Sequence, residues 1–335
     1  MKVSAIGLFE TLRRAMTPPL ADHRPAFRVA LGLAIPGTGL LLIGRPDLVV
    51  YAMFGAVAGM YGRTLSRRGR LVAQSQGGAM VLAGVVVGAG LAQRHSPGWL
   101  LVCVAVIFAS VASMLADRAD LRPAGPFYGL IALGAVASIP VHRVPVLTAV
   151  SICAATSLFA VVLGAVDKPG ATGETYSATT ELERERSGVR IHALRYGLAV
   201  GIAGTVGVFL GVDHANWAMT GAAGPLAAPD TAARLKRGFH RLIGTLIGLV
   251  VTAALLLGHP SDYVLAIAVM VLLFPTELFM SHHHAVAVGF FTPLIMVLTD
   301  LASPGDPLRL LSARGVDTLI GVGAAFAVSV AVRER

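Results

Sequence analysis

A basic cluster stands out among the residues that could do chemistry: Arg234, Lys236, Arg237 and Arg241 follow a Gly- and Pro-broken apolar stretch. The three arginines stand at positions i, i+3 and i+7, so a helix would place them on one face. A guanidinium there can bind a carboxylate through two parallel hydrogen bonds. The same charges also suit a loop beside anionic lipid headgroups, where they would fix topology. The spacing leaves both roles open.

Two aromatic residues and an amide are the next candidates for substrate contact. Tyr51 lies in the short apolar stretch 48–62, and Asn216 and Trp217 lie in the equally short stretch 213–228. Short or broken helices at matching places in two halves of a transporter mark its binding site. We expect Tyr51 and Trp217 to stack an aromatic ligand, with Asn216 as a polar contact. The alternative is that both aromatics belong to the belt at the membrane surface.

Glu277 and Asp317 are carboxylates inside apolar stretches. A charge at the bilayer centre costs about 2.5 kcal/mol or more, so such groups usually face a partner or a cavity. Both are candidates for proton coupling, and both could instead lie nearer the membrane surface. The run His282 to His284 lacks the spacing of a metal site. The chain also has no Walker loop, dinucleotide fingerprint or nucleophile elbow, so we expect no metal, no cofactor and no enzyme activity.

The composition is that of an all-α, polytopic membrane protein. Of 335 residues, 55% are hydrophobic and 13% are charged, and the mean hydropathy is +0.74. A soluble domain of this size needs more polar surface. The bilayer is therefore the expected partner. The net charge of +9 is explained by cations between apolar helices and does not predict a nucleic acid partner.

Twelve apolar stretches are long enough to be candidate spans, although ten or eleven true crossings stay open. If all twelve cross and the N-terminus is cytoplasmic, 22 of the 27 Lys and Arg residues lie inside. The five outside are Arg45, Arg94, Arg143, Arg309 and Arg314. This distribution predicts that both termini lie in the cytoplasm. The second, fifth and eighth stretches are short, and the twelve are residues 26–45, 48–62, 76–93, 98–116, 126–141, 146–166, 191–210, 213–228, 242–258, 263–280, 284–301 and 314–332.

The chain contains an internal repeat. A shift of 167 residues aligns Arg28 with Arg195 and Gly44 with Gly211, and a one-residue slip aligns YAMFGA, from Tyr51, with WAMTGA. Six helices separate equivalent points, so the two copies share one orientation in the membrane. The predicted organisation is two parallel six-helix repeats. Its parts are an amphipathic N-terminal segment at 1–24, a first repeat at 25–166, a cytoplasmic linker at 167–190 and a second repeat at 191–332.

The order Trp217, Pro225, Asp230, Arg234, Arg237, Arg241, Gly244-Thr245 and Gly248 resembles the signature of the fusaric acid resistance family, also called the aromatic acid exporter family. The resemblance covers roughly residues 190–280, and more weakly 25–110. Many relatives carry a large soluble domain after each membrane half, whereas this chain resembles a short form without them. The resemblance implies an inner-membrane protein similar to exporters of aromatic carboxylic acids.

The hypothesis that follows is a proton-driven exporter of small organic anions, with aromatic acids as the expected class. A passive anion channel is an alternative from a different class. A non-transporting scaffold, acting as a homo-oligomer or as the partner subunit of another protein, is a further one. The sequence does not distinguish these by substrate, by coupling ion or by direction of transport.

Overall fold

A computed structural model describes Pro18 and residues 20–93, 98–140, 143–167, 182–212 and 214–332. Over these residues the chain is helical throughout, without β-strands. Helix α2 is extended at both ends by 3₁₀ turns, Pro46–Leu48 and Val57–Met60. The helices are α1 Leu20–Leu42, α2 Val49–Ala56, α3 Arg67–Gln93, α4 Gly98–Arg118, α5 Phe127–Ala137, α6 Val146–Val166, α7 Leu182–Phe209, α8 Ala215–Leu226, α9 Thr231–Leu256, α10 Asp262–Met280, α11 His284–Ala302 and α12 Pro307–Ala331.

The predicted all-α membrane fold is confirmed, together with the short second, fifth and eighth helices. Nine helices of the described chain are long and apolar enough to cross a membrane. Helix α8 has 12 residues and α5 has 11. At 1.5 Å per residue they reach about 18 Å, well short of a hydrocarbon core of about 30 Å.

The short helices are tolerated because they lie inside the protein. In the described chain, the large exposed apolar side chains all lie on α1, α3, α4, α6, α7, α9, α10 and α12 or directly beside their ends. Helices α2, α5, α8 and α11 are almost entirely buried. Eight lipid-facing helices therefore surround four central ones. Backbone that ends at membrane depth is stable in such a centre because protein, not lipid, covers it.

The two halves pack their helices in the same pattern. Helix α3 packs on α5 and α6 as α9 packs on α11 and α12. Helix α2 packs on α6 as α8 packs on α12. The most extensive contacts between the halves lie at two equivalent places, α4 against α7 and α10 against α1. This is the packing expected of two parallel six-helix repeats.

Equivalent glycines end the first helix of each half. Gly44 follows α1 with φ of 74°, and Gly211 follows α7 with φ of 64°. The next amide N–H reaches back to a carbonyl in the last turn, from Arg45 to Leu40 at 2.9 Å and from Val212 to Gly207 at 3.0 Å. This is a left-handed helix cap, which glycine adopts without strain.

The glycine shared by YAMFGA and WAMTGA is a packing residue. A Cβ at Gly55 would lie 2.5 Å from the carbonyl oxygen of Cys153 on α6. Its counterpart Gly221 faces α12, where a Cβ would lie 3.3 Å from the Cα of Gly321. Small residues allow such close helix contacts in lipid. Helix packing therefore explains why both copies of the motif have glycine at this position.

Several helices begin earlier than their apolar stretches. Helix α9 begins at Thr231 and not near 242, and α12 begins at Pro307 and not near 314. The reason is that their first turns carry charged side chains that are buried against protein, among them Arg234 and Arg314. Helix α7 begins at Leu182, within the proposed linker, while residues 168–181 and most of the segment 1–24 lie outside the described residues.

Candidate functional site

The bundle has two ends, which we name after residues that lie there. The Arg45 end holds the turns after α1, α5, α7, α9 and α11. We call α2 together with its two 3₁₀ turns, residues 46–60, the α2 segment. The Arg63 end holds the turns after the α2 segment, α4, α8 and α10, together with the start of α1. A vestibule of about 820 Å³ opens at the Arg45 end, above the short central helices. Its wall includes Arg45, Asp47, Tyr51, Arg143, Asp262 and Tyr263.

A second, smaller cavity of about 50 Å³ lies next to the vestibule. The two spaces share Val50, Ile139 and Ala302, so they adjoin. Asn216 and Trp217, which are predicted substrate contacts, line the smaller cavity. Its volume holds about one or two water molecules. This cavity is therefore too small to hold an aromatic acid.

Tyr51 and Trp217 are both buried, with 3% of each residue exposed. They line the vestibule and the inner cavity respectively, so neither belongs to a belt at the lipid surface. The Trp217 ring stacks on His214, with 4.3 Å between ring centres and 16° between planes. The guanidinium carbon of Arg314 lies 5.2 Å from the Trp217 ring centre. Trp217 therefore positions a buried cation.

Arg241 forms a similar contact nearer the Arg63 end. Its guanidinium carbon lies 5.3 Å from the centre of the Phe127 ring, which belongs to the first half. A Cβ at Gly224 would lie 2.9 Å from Nη1 of Arg241, so the side chain is packed against the backbone of α8. Arg241 is 2% exposed, and its Nε has no hydrogen-bond partner. No described carboxylate forms an ion pair with it.

The three arginines of the basic cluster share the inward face of α9 but differ in their contacts. Arg234 is fully engaged by backbone: its Nε donates to the carbonyl of Ala228 at 3.0 Å, and its Nη2 donates to that of Pro229 at 2.9 Å. Arg237 is half-buried, and its Nε has no hydrogen-bond partner. Arg234 thus holds the turn after α8, while Arg237 and Arg241 face the interior.

Arg314 is a site residue that the sequence analysis missed, because it was counted among the outside charges. In the structure it lies in the second turn of α12 and is 3% exposed. It interacts electrostatically with Asp317, one turn further along the helix, and also with Arg241. The sequence does contain an indication of this pair: an Arg and an Asp three residues apart inside an apolar stretch can interact on one face of a helix.

Glu277 belongs to a separate cluster at the Arg63 end. Its Oε2 lies 3.6 Å from Nη1 of Arg63, which also donates to the Glu277 carbonyl at 3.0 Å. Arg63 lies 4.0 Å from Asp22, and Asp22 contacts His282. The cluster joins α1, the turn after the α2 segment and α10. Glu277 and Asp317 are therefore both buried but have different surroundings.

The structure brings Trp217, Arg241, Arg314 and Asp317 together around the centre of the second half, with Phe127 contributed by the first. It leaves Tyr51 in the vestibule, Arg234 at a turn and Glu277 in the cluster around Arg63. Two guanidiniums, each on an aromatic ring and both buried between the ends of the bundle, can bind an anion and the face of an aromatic group together. In the described chain, no group of three or more His, Cys, Asp or Glu is arranged to hold a metal ion.

Comparison with known proteins finds a similarity in the second half of the chain. Residues 199–328 match the family model described as "Fusaric acid resistance protein-like", which confirms the predicted resemblance over that segment. The "Uncharacterized membrane protein YvaC" of Bacillus subtilis (strain 168) is 28% identical over 137 residues. The aligned part is 41% of this chain and 22% of that relative, so the chain matches only about a fifth of the relative's length. No solved structure matches.

Proposed function

We propose that this membrane protein, whose second half matches the fusaric acid resistance protein-like family, exports small organic anions and that aromatic carboxylates are its substrate class. Export is driven by the proton gradient. The proposal needs a binding site for a carboxylate beside a binding surface for an aromatic ring. The guanidiniums of Arg241 on α9 and Arg314 on α12 supply the first, and the rings of Phe127 on α5 and Trp217 on α8 supply the second.

The observation that carries the proposal is that Arg241 is buried next to other cations. A guanidinium that is 2% exposed needs a counter-charge, because taking it out of water costs several kcal/mol. Instead, its charged neighbours Arg237 and Arg314 repel it. A bound carboxylate would relieve that repulsion and accept hydrogen bonds from the guanidinium. The arrangement is therefore that of an anion site built in advance.

The aromatic part of the substrate would use the rings beside the two guanidiniums. Phe127 lies against Arg241 and Trp217 lies against Arg314. An aromatic acid entering between them gains ring contacts of about 0.5–1.5 kcal/mol each, beyond the apolar area it buries. An aliphatic acid of the same charge lacks that gain.

The small size of the inner cavity favours a transporter over an open channel. Beside Trp217, next to the vestibule, the space is only about 50 Å³. An aromatic acid cannot pass that point unless the central helices move. The vestibule of about 820 Å³ on the far side is large enough to release it.

Asp317 is proposed as the coupling carboxylate. It is buried and interacts with Arg314, so one guanidinium faces both this carboxylate and the proposed anion site. Export driven by an inward proton gradient requires exchange of the outgoing anion for a proton, and we propose that Asp317 carries that proton. Glu277, held by Arg63, is the second candidate for the proton pathway.

The distribution of Lys and Arg supports the orientation. The turns at the Arg63 end hold most of the cations, which fits a cytoplasmic location, and both termini would lie on that side. The vestibule then faces outward. Substrate would enter from the cytoplasm past Arg237 and leave through the vestibule, which is the direction of export.

The test is transport by purified protein in proteoliposomes with an imposed pH gradient. We expect gradient-dependent movement of aromatic carboxylates such as benzoate derivatives, with Arg241→Ala at least tenfold slower than wild type. Lys236→Ala is the matched control, because Lys236 is an exposed cation on the same helix.

Two results would overturn the proposal. Gradient-independent anion current through planar bilayers would make the protein a channel. Failure of every anion in a broad panel to move, with stable co-purification of a second protein, would make it a scaffold. Equal transport rates for wild type and Arg241→Ala would show that Arg241 is not part of the substrate-binding site.

A further inference from the structure

We propose that the lipid-facing groove between α3 and α4 is a binding site for one anionic phospholipid. The acyl chain would lie in the groove and the phosphate would contact Arg118 at its Arg63 end. This inference does not depend on the proposed transport function. It rests on the shape of the groove, on its charge and on the way it departs from the internal repeat.

The groove is apolar and large, with a volume of about 910 Å³. Ala79 and Ala83 on α3 and Ala112 on α4 are among the small side chains that make the space. From Val104 to Arg118 it follows α4 for 14 residues, which is roughly 20 Å. One leaflet of hydrocarbon is about 15 Å deep, so an acyl chain that starts beside Arg118 fits along it.

The groove is specific to the first half of the protein. The shift of 167 residues that aligns Arg67 and Arg70 with arginines of α9 also places Leu246 opposite Ala79 and Val250 opposite Ala83. Leu246 is 64% exposed and Val250 is 72% exposed, so the second half presents bulky side chains to the lipid at these positions. Only the first half has alanines at these two positions. Contact with bulk lipid does not require the space that they leave, because the second half faces lipid with larger side chains.

The charge at one end of the groove identifies the class of lipid. Arg118 lines the groove and is exposed at the last turn of α4. On α3, Arg68 is exposed and lies on the same stripe as Gln76 of the groove wall, at i and i+8. Each cation near an anionic membrane surface contributes about 1 kcal/mol of attraction. The two arginines therefore favour phosphatidylglycerol or cardiolipin over a zwitterionic lipid.

A phospholipid fits better than the other possible occupants. The groove belongs to the ring of helices whose apolar side chains face the bilayer, including Ile107, Val111 and Leu115 of α4. A lipid acyl chain is present there at high concentration. A second copy of the chain would have to bring acidic side chains to Arg118 and Arg68, yet the charged residues among the described exposed ones at the Arg63 end are mostly basic.

The test is native mass spectrometry of the full chain in mild detergent, titrated with phosphatidylglycerol, cardiolipin or phosphatidylcholine. We expect one retained anionic lipid per protein and about fivefold weaker retention in Arg118→Ala. The double variant A79L/A83V gives α3 the side chains of the second half and should abolish retention. It leaves the protein folded, because both alanines are exposed in the groove.

Matched controls separate the groove from general lipid contact. Ala155→Leu enlarges an exposed alanine on α6, and Lys236→Ala removes an exposed cation on α9, so both should bind lipid as wild type does. Equal retention of phosphatidylcholine, or retention that survives A79L/A83V, would refute the site. A change from dimer to monomer in A79L/A83V, measured by light scattering, would show instead that a second copy occupies the groove.

Discussion

The guanidinium of Arg241 and the ring of Phe127 join the two halves of the protein across its centre, with 5.3 Å between guanidinium carbon and ring centre. Arg241 comes from the second repeat and Phe127 from the first. In the first repeat, the residue aligned with Arg241 is Gln74, whose Nε2 donates to the Gly59 carbonyl at 3.3 Å. The buried cation is thus a departure from the internal symmetry.

Replacing Arg241 with Met separates function from stability. We expect transport of aromatic acids to fall at least tenfold, because the carboxylate loses its guanidinium. The melting temperature should stay unchanged or rise, since exchange of a buried charge for an apolar side chain is neutral or stabilising by about 1–4 kcal/mol. Thermal unfolding in detergent and proteoliposome flux measure the two effects. A large loss of stability would mean that Arg241 is structural.

Arg234→Ala should behave in the opposite way. It removes two charge-assisted hydrogen bonds to the backbone after α8 and leaves the carbonyls of Ala228 and Pro229 without that donor. The expected cost is about 2–4 kcal/mol of stability. Thermal unfolding is the measurement, with Lys236→Ala as the exposed control on the same helix. A melting temperature within a degree of wild type contradicts the assignment.

Trp217 should set the preference for aromatic substrates. In Trp217→Ala, Arg314 loses the ring beneath it, and a contact of that kind contributes about 0.5–2 kcal/mol. We expect the ratio of aromatic to aliphatic acid transport to fall by about tenfold, and Trp217→Phe to retain most of it. Tyr51→Phe serves as the control, because Tyr51 lines the vestibule and not the inner cavity. An unchanged ratio in Trp217→Ala refutes this role.

Gly55→Val should prevent folding. Its Cβ would lie 2.5 Å from the Cys153 carbonyl oxygen and 2.6 Å from the Cβ of Thr156, so α2 and α6 would have to separate. Gly39→Ala is the matched control, because a Cβ there has no neighbour within 4 Å. We expect loss of the monodisperse peak in size-exclusion chromatography for Gly55→Val and a wild-type profile for Gly39→Ala. Two similar profiles would show that this helix contact is loose.

Labelling of single-cysteine variants tests which end of the bundle faces the cytoplasm. Ser66 is exposed at the Arg63 end, before α3, and Ser261 is exposed at the Arg45 end, before α10. With Cys103 and Cys153 replaced by Ala, a membrane-impermeant maleimide should label Ser261→Cys in intact cells and Ser66→Cys only after permeabilisation. The physical reason is the excess of Lys and Arg at the Arg63 end, which is expected to keep those loops in the cytoplasm. The reverse labelling pattern would invert the proposed direction of transport.

The helical pattern of this protein is readable from its sequence because lipid solvates apolar side chains. The long outer helices, the three short ones and the equivalent glycine caps at Gly44 and Gly211 all follow from hydropathy and the internal repeat. The inward face of α9, with Arg234, Arg237 and Arg241, follows from helical spacing. These are local properties, set by neighbours within a few residues along the chain.

Only the tertiary structure decided what each of those side chains contacts. Arg234 and Arg241 are seven residues apart on one face, yet one is held by backbone carbonyls and the other lies against Phe127. Arg314 was assigned to the outside by charge counting, although it is buried on Trp217. In a membrane protein the free-energy cost of burying a charge depends on the side chains that distant helices place beside it. Hydropathy averages over neighbours in the sequence, so it cannot predict that cost.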